Sequence, residues 1–328
     1  MSFLIKCGSI PALLATLITC SENGGGINPV VQSTHGTSIE GSISGYLTKD
    51  DSPYYVINDI YIDSLNTLEI EPGVRLIFYD STNFTIRGTL LSVGDTLAFI
   101  TYTSFSGSWF GINIENSLNE NRFQFSHFDD ILIEDSEISE FGAITIYNSN
   151  ASIINCVIRD NSTVNGGGIA IIESEVVIKN NIIRNNQAAA FGGGIISIES
   201  VSKIYNNTIF QNRSSNYGGG LVLINPVQDD IQNNIFYLNS NQSGDPGISI
   251  NSGDSTKAII HYNFYGNSNL DPRFVSDDNL ELQIHSPCID NGNPEINFND
   301  NNGTRNDQGS FGGPNAAWWR VLAADNLD

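Results

Sequence analysis

Six residues that recur at one phase of this chain carry much of its potential chemistry: Asp129, Arg159, Arg184, Phe210, Tyr237 and Tyr265. Charge occupies one end of the series and aromatic rings the other. If consecutive members stand on adjacent strands, the rings lie about 4.8 Å apart and can stack on sugar rings, while Arg and Asp bond hydroxyls or uronate carboxylates. A cross-strand ladder of Asp–Arg pairs and packed rings has the same pattern, and the two readings are compatible.

The segment "SHFDD" adds His127 and Asp130 beside Asp129, and "ILIEDSEISEFGA" follows with Glu134, Asp135, Glu137 and Glu140. Clustered carboxylates can take calcium or act as acid and base on a glycoside, although a solvated acidic turn has the same composition. Arg159, Arg184 and Lys179 are the basic candidates close by. Near the end, "NDNNGTRND" sets Asp300, Asn302, Thr304 and Asp307 around a glycine. Alternating oxygens at a bend suit calcium, and they equally make an ordinary Asx-rich turn.

The charge narrows the partners. With 14 Lys+Arg against 36 Asp+Glu in 328 residues, the formal charge is -22. A phosphate backbone or an anionic leaflet is repelled by such a surface, which argues against nucleic acid and against electrostatic membrane binding. Cations, neutral glycans or basic partners remain, and the partner expected is a polysaccharide or another cell-surface component.

Residues 1–19, "MSFLIKCGSIPALLATLIT", read as an export signal: one Lys, then an apolar stretch too short to span a bilayer. The "LITC" end resembles a lipobox, which makes Cys20 the expected lipid attachment site and 20–39 a polar tether. The expectation is an exported protein at the cell surface or outer membrane, touching the membrane only through that lipid. Cys156 and Cys288 fit neither a disulfide framework nor a zinc site, and read as small buried residues.

These residues are positioned by a repeat. Gly168, Gly194 and Gly220 each close a "GGG" and stand 26 residues apart. After them come "IAII", "IISI" and "LVLI", and then an Asn twelve residues beyond the first Ile in the first two units. In phase, one column reads Ser126, Cys156, Asn181, Asn207, Asn234, Tyr262. A second, two residues on, reads Phe128, Ile158, Ile183, Ile209, Phe236, Phe264. Period-two alternation makes these strands, and the shared parity turns both columns inward. Buried Asn amides stacked along a column can bond one another. Asn161, Asn186, Asn212, Asn239 and Asn267 end the same strand in successive units, where a sharp bend suits Asn. The glycine runs are not phosphate loops, because no Lys-Ser/Thr follows them.

A unit of this kind buries its apolar face only by stacking on its neighbours, so the fold expected is all-β: a solenoid in one elongated domain. The chain resembles the right-handed parallel β-helix proteins of the pectate-lyase-like superfamily, bacterial surface proteins with PbH1-type repeats among them. The resemblance covers roughly residues 40–285. "TLEIEPGVRLIF", "FTIRGTL" and "WFGINIE" look like N-terminal cap coils, while "DPRFV", "HSPCIDNGNP" and "NDNNGTRNDQGSFGGP" look like the irregular tail that closes such a helix over 286–328. The expectation is a surface protein that binds polysaccharide or another surface component through its stacked outer face, with Phe210, Tyr237, Tyr265, Arg159 and Arg184 of the outward row as contacts. Two alternatives stand beside it, and no family lyase or hydrolase signature maps onto their residues. One is a polysaccharide lyase or glycoside hydrolase using Arg159, Arg184, His127, Asp129 or Asp130; the other is a structural adhesin or spacer.

Overall fold

The computed structural model describes residues 36–133, 142–242, 244, 247–314 and 316. They form a parallel β-solenoid with three faces, and the only helical pieces among them are two short 3-10 turns. The third face is a sheet of nine parallel strands, from Gly45–Leu47 to Ala258–His261. The first and second faces form a seventeen-stranded sheet, because the long strand Tyr54–Ile62 pairs with Arg75–Phe78 through its first half and with Phe84–Ile86 through its second.

Each coil in the regular part runs first face, second face, third face, with a corner between each. Val157–Arg159, Ile169–Ile172 and Glu175–Lys179 make one such coil; Ile182–Arg184, Ile195–Ile198 and Val201–Tyr205 make the next. Inward side chains stack on like neighbours. Ile158, Ile183 and Ile209 stand in register on the first face, as do Ile144, Ile169 and Ile195 on the second. Where rings replace aliphatics they also stack, Tyr102 on Phe128 at 4.8 Å.

The corners explain the Asn and Gly columns. At the third-to-first corner, Asn180, Asn206 and Asn233 take a positive φ and the following Asn points inward. Asn181 donates its backbone N–H and its Nδ2 to Asn207 Oδ1, Asn207 does the same to Asn234, and Asn234 to Asn263. A second ladder runs Asn161, Asn186, Asn212, Asn239 after the first face. These Asn residues do not themselves make the bend expected of them: the positive φ falls one residue earlier, on Asp160, Asn185, Gln211 and Leu238. Their amides are needed inside, where each replaces the water its neighbour's backbone has lost.

In the glycine runs the first member, Gly166, Gly192 or Gly218, has a positive φ. The second lies against the next coil: a Cβ on Gly193 would stand 2.5 Å from Gly219 O. Two different demands thus fall on adjacent residues, and glycine meets both.

The register departs from the expected columns in the last coil. Asn263, not Tyr262, ends the Asn ladder; Phe264 pairs with Ile235, and Tyr265 with Phe236. A bulge between Ile250 and Ser252, followed by the 3-10 turn Ser255–Lys257, adds a residue ahead of that strand. A one-residue slip exchanges the two sides of a strand.

The tail folds back along the solenoid. Phe274, Leu280 and Cys288 cover Val157, Ile182, Phe210, Ile235 and Phe264 on the outside of the first face. Farther on, the corner Asn side chains act as a rail: Asn180 Nδ2 donates to Ser310 O and Gly312 O, Asn206 Nδ2 to Asn306 Oδ1 and Asp307 O, and Asn233 Oδ1 accepts from Asn293 N.

Candidate functional site

On the outside of the first face, strand register sets Tyr55, Ile77 and Thr103 side by side, and Arg159, Arg184, Phe210 and Tyr237 farther along the same face. Asp129 stands between the two groups. Its carboxylate is 3.5 Å from Arg159 Nη2 and 3.6 Å from His127 Nε2, and Arg159 Nε donates to His127 Nε2 at 2.9 Å. Asp160 closes the guanidinium from the other side at 3.6 Å. Asp130 accepts from Thr103 Oγ1 at 2.9 Å.

This cluster is largely out of solvent. Burial, followed by the charge of Arg159, pushes the His127 pKa down to about 3, so the imidazole is neutral at neutral pH and free to accept the Arg159 hydrogen. Burial also raises the Asp129 pKa, with Arg159 opposing, and Asp129 Oδ1 has no hydrogen-bond partner. His127, Asp129, Asp130 and Arg159 are therefore brought together, as their phase implies. Arg159 has its contacts filled by His127, Asp129 and Asp160.

The other candidates have their partners outside that group, although Arg184 stands next to Arg159 in strand register. Arg184 is held by the tail, through Asp277 O at 2.6 Å and Asp278 at 3.7 Å. Lys179 sits at the third face with its Nζ on Pro314 O, and burial lowers its pKa. Phe210 is only 1% exposed, stacked on Tyr237 at 5.6 Å and capped edge-on by Phe274. Tyr237 meets Phe274 in the same way. Tyr265 leaves the outward row altogether and stacks on the core ring of Phe236 at 5.5 Å. The row expected to meet sugar is thus roofed by the tail or turned to the end of the core.

In the tail loop, Asp300 accepts from the backbone N–H of Asp307 and of Gly313, and Asp307 accepts from Asp290 N. Thr304 donates to Asn302 Oδ1. Burial raises both carboxyl pKa values, that of Asp307 to about 6. These oxygens tie the loop to itself, and among the described residues no three His, Cys, Asp or Glu side chains converge as a metal site. Glu134, Asp135, Glu137 and Glu140, like Cys20, lie outside the described residues.

An exposed aromatic pair lies on the same face at its other end. Tyr79 and Phe105 stack at 4.7 Å with their planes 4° apart, and Tyr55 meets Phe105 edge-on at 6.5 Å. Phe105 is 58% exposed and Tyr79 37%. Phe105 follows by two residues Thr103, whose hydroxyl donates to Asp130. Asp80, the residue after Tyr79, lines a shallow open cleft of about 700 Å³ together with Glu40 and Asp59. A signal for the pair was present in the sequence: Tyr79 and Phe105 are 26 residues apart, the interval of the glycine runs.

The architecture is that of a parallel β-solenoid with a stacked aromatic surface and a buried His–Arg–Asp cluster. Comparison with protein-family models, with curated proteins and with solved structures finds no match.

Proposed function

We propose that this is an exported β-helix protein of the pectate-lyase-like superfamily, anchored by a lipid on Cys20, that binds polysaccharide on the N-terminal part of its first face. The observation that carries the reading is the Tyr79–Phe105 pair. Large rings stacked in the open leave apolar surface in water, and a flat sugar face covers that surface without needing a deep pocket. Asp80, next to Tyr79 in sequence, keeps a carboxylate oxygen for a sugar hydroxyl, and a stack of strands holds these groups at fixed spacing.

A second reading, a polysaccharide lyase or glycoside hydrolase, draws on the contact among His127, Arg159 and Asp129. Arg159 is closed by three partners and His127 resists protonation, so neither is poised as a ready base or acid. The binding reading fits the filled cluster better, with the cluster stiffening the same face.

The test is affinity gel electrophoresis of the purified protein against a panel of polysaccharides, with the same panel assayed for new reducing ends and unsaturated uronate ends. Retardation by at least one polysaccharide is expected, weakened about tenfold or more in Phe105→Ala, which corresponds to roughly 1.4 kcal/mol. Retardation that Phe105→Ala and Tyr79→Ala leave untouched would refute the site. New chain ends would favour the enzyme.

A further inference from the structure

The charge around the aromatic pair bears on what kind of glycan fits, and this step rests on the polysaccharide reading above. In the cleft that Asp80 lines, Glu40 accepts from Asn58 Nδ2, Asp59 from Asn83 N, and Asp80 from the hydroxyls of Ser106 and Ser108. Each of these contacts uses one carboxylate oxygen, Glu40 Oε2, Asp59 Oδ1 or Asp80 Oδ1. The companion oxygen remains to accept from a ligand hydroxyl. Farther along the same face, Asp130 accepts from Thr103, two residues before Phe105, and Asp160 lies against Arg159.

Of the guanidiniums on this face, Arg184, one strand beyond Arg159, is held by Asp277 and Asp278 of the tail, which leaves Arg159 and Arg75 against these five carboxylates. Arg159 is occupied by His127, Asp129 and Asp160. Arg75 lies on the strand that leads to Tyr79, and its Nε has no hydrogen-bond partner among the described residues. One uncommitted cation does not neutralise a cleft lined by three carboxylates. At physiological ionic strength charges are screened over about 8 Å, so this local excess matters more than the charge of the whole chain.

A polyuronate would bring one carboxylate per sugar against that surface, and each would lose hydration facing a like charge. An uncharged sugar brings hydroxyl donors, which carboxylates accept strongly. We infer that the ligand is an uncharged polysaccharide, stacked on Tyr79 and Phe105, with its hydroxyls donated to the carboxylates of the adjoining cleft.

The experiment uses the full chain and two probes that share one backbone: an acidic polysaccharide and its carboxyl-reduced, neutral form. Affinity electrophoresis is run at low and high salt on the wild type, on Phe105→Ala and on the double variant Asp59→Asn with Asp80→Asn. The neutral form is expected to bind about tenfold or more tightly at low salt, with the gap closing as salt rises. The double variant narrows the gap by admitting the acidic form, since Asn keeps an acceptor and removes the charge. Equal or tighter binding of the acidic form by the wild type would overturn the inference and leave the glycan reading standing, provided Phe105→Ala weakens it. No retardation by either form, or retardation indifferent to Phe105, would sink both.

Discussion

Arg159 Nε and His127 Nε2 are 2.9 Å apart, and the bond they share requires an unprotonated nitrogen on the imidazole. Burial and the Arg159 charge hold the His127 pKa near 3, well below its ordinary 6.5. The unfolded chain therefore takes up the proton first as pH falls. Stability from this group is present above about pH 6.5 and is lost progressively toward pH 3. Thermal melts should show the midpoint falling over that window. In His127→Gln, whose amide oxygen can accept from Arg159 without titrating, the fall should be shallower; an unchanged profile would mean that other groups govern the acid limb.

The opposite sign is expected of Asp229. Its carboxylate lies inside the solenoid, 1% exposed, accepting from Ser197 Oγ at 3.2 Å and from Ser202 Oγ, while Oδ2 has no partner. Burial raises its pKa despite those hydroxyls. The folded state holds the proton more tightly than the unfolded one, so the contribution is fully present at low pH and is lost as pH rises through the raised value. Asp229→Asn should stabilise the protein by about 1 kcal/mol at pH 8 and have little effect near pH 4. Urea unfolding at the two pH values measures it; a variant less stable at pH 8 would contradict the argument.

The Asn ladder should be costly to interrupt. Asn207 Oδ1 accepts from both the N–H and the Nδ2 of Asn181, at 3.0 Å each, and all of these groups are buried. Asn207→Ala strands two donors at once and opens a cavity, for a loss of about 3 kcal/mol or more. Asn58→Ala, which removes only an exposed bond to Glu40, should cost no more than about 0.5 kcal/mol. Comparable denaturation midpoints for the two variants would show that the ladder is not a source of stability.

Parts of this arrangement are readable from residue order because they are periodic. A side chain that recurs every coil on the inward parity stacks on its own kind, which is why Ile158, Ile183 and Ile209 and the Asn181–Asn207–Asn234 ladder are legible in the sequence. The bends were harder. Asn at 161, 186 and 212 suggests a left-handed residue by composition, yet the interior amide network has the stronger claim on it, and the residue before each takes the positive φ.

The sequence by itself determined the coil, its phase and the direction each regular side chain points, because strand alternation and stacking are local rules that repeat. It also brought His127, Asp129 and Arg159 to one patch, since coils in phase place like positions side by side. Only the tertiary structure decided which part of the first face meets solvent. The tail returns from well downstream, with Phe274 standing 64 positions after Phe210 and 37 after Tyr237; it roofs both and leaves Tyr79 and Phe105 open. No periodicity encodes that contact, because it depends on where an aperiodic segment can bury its own apolar side chains.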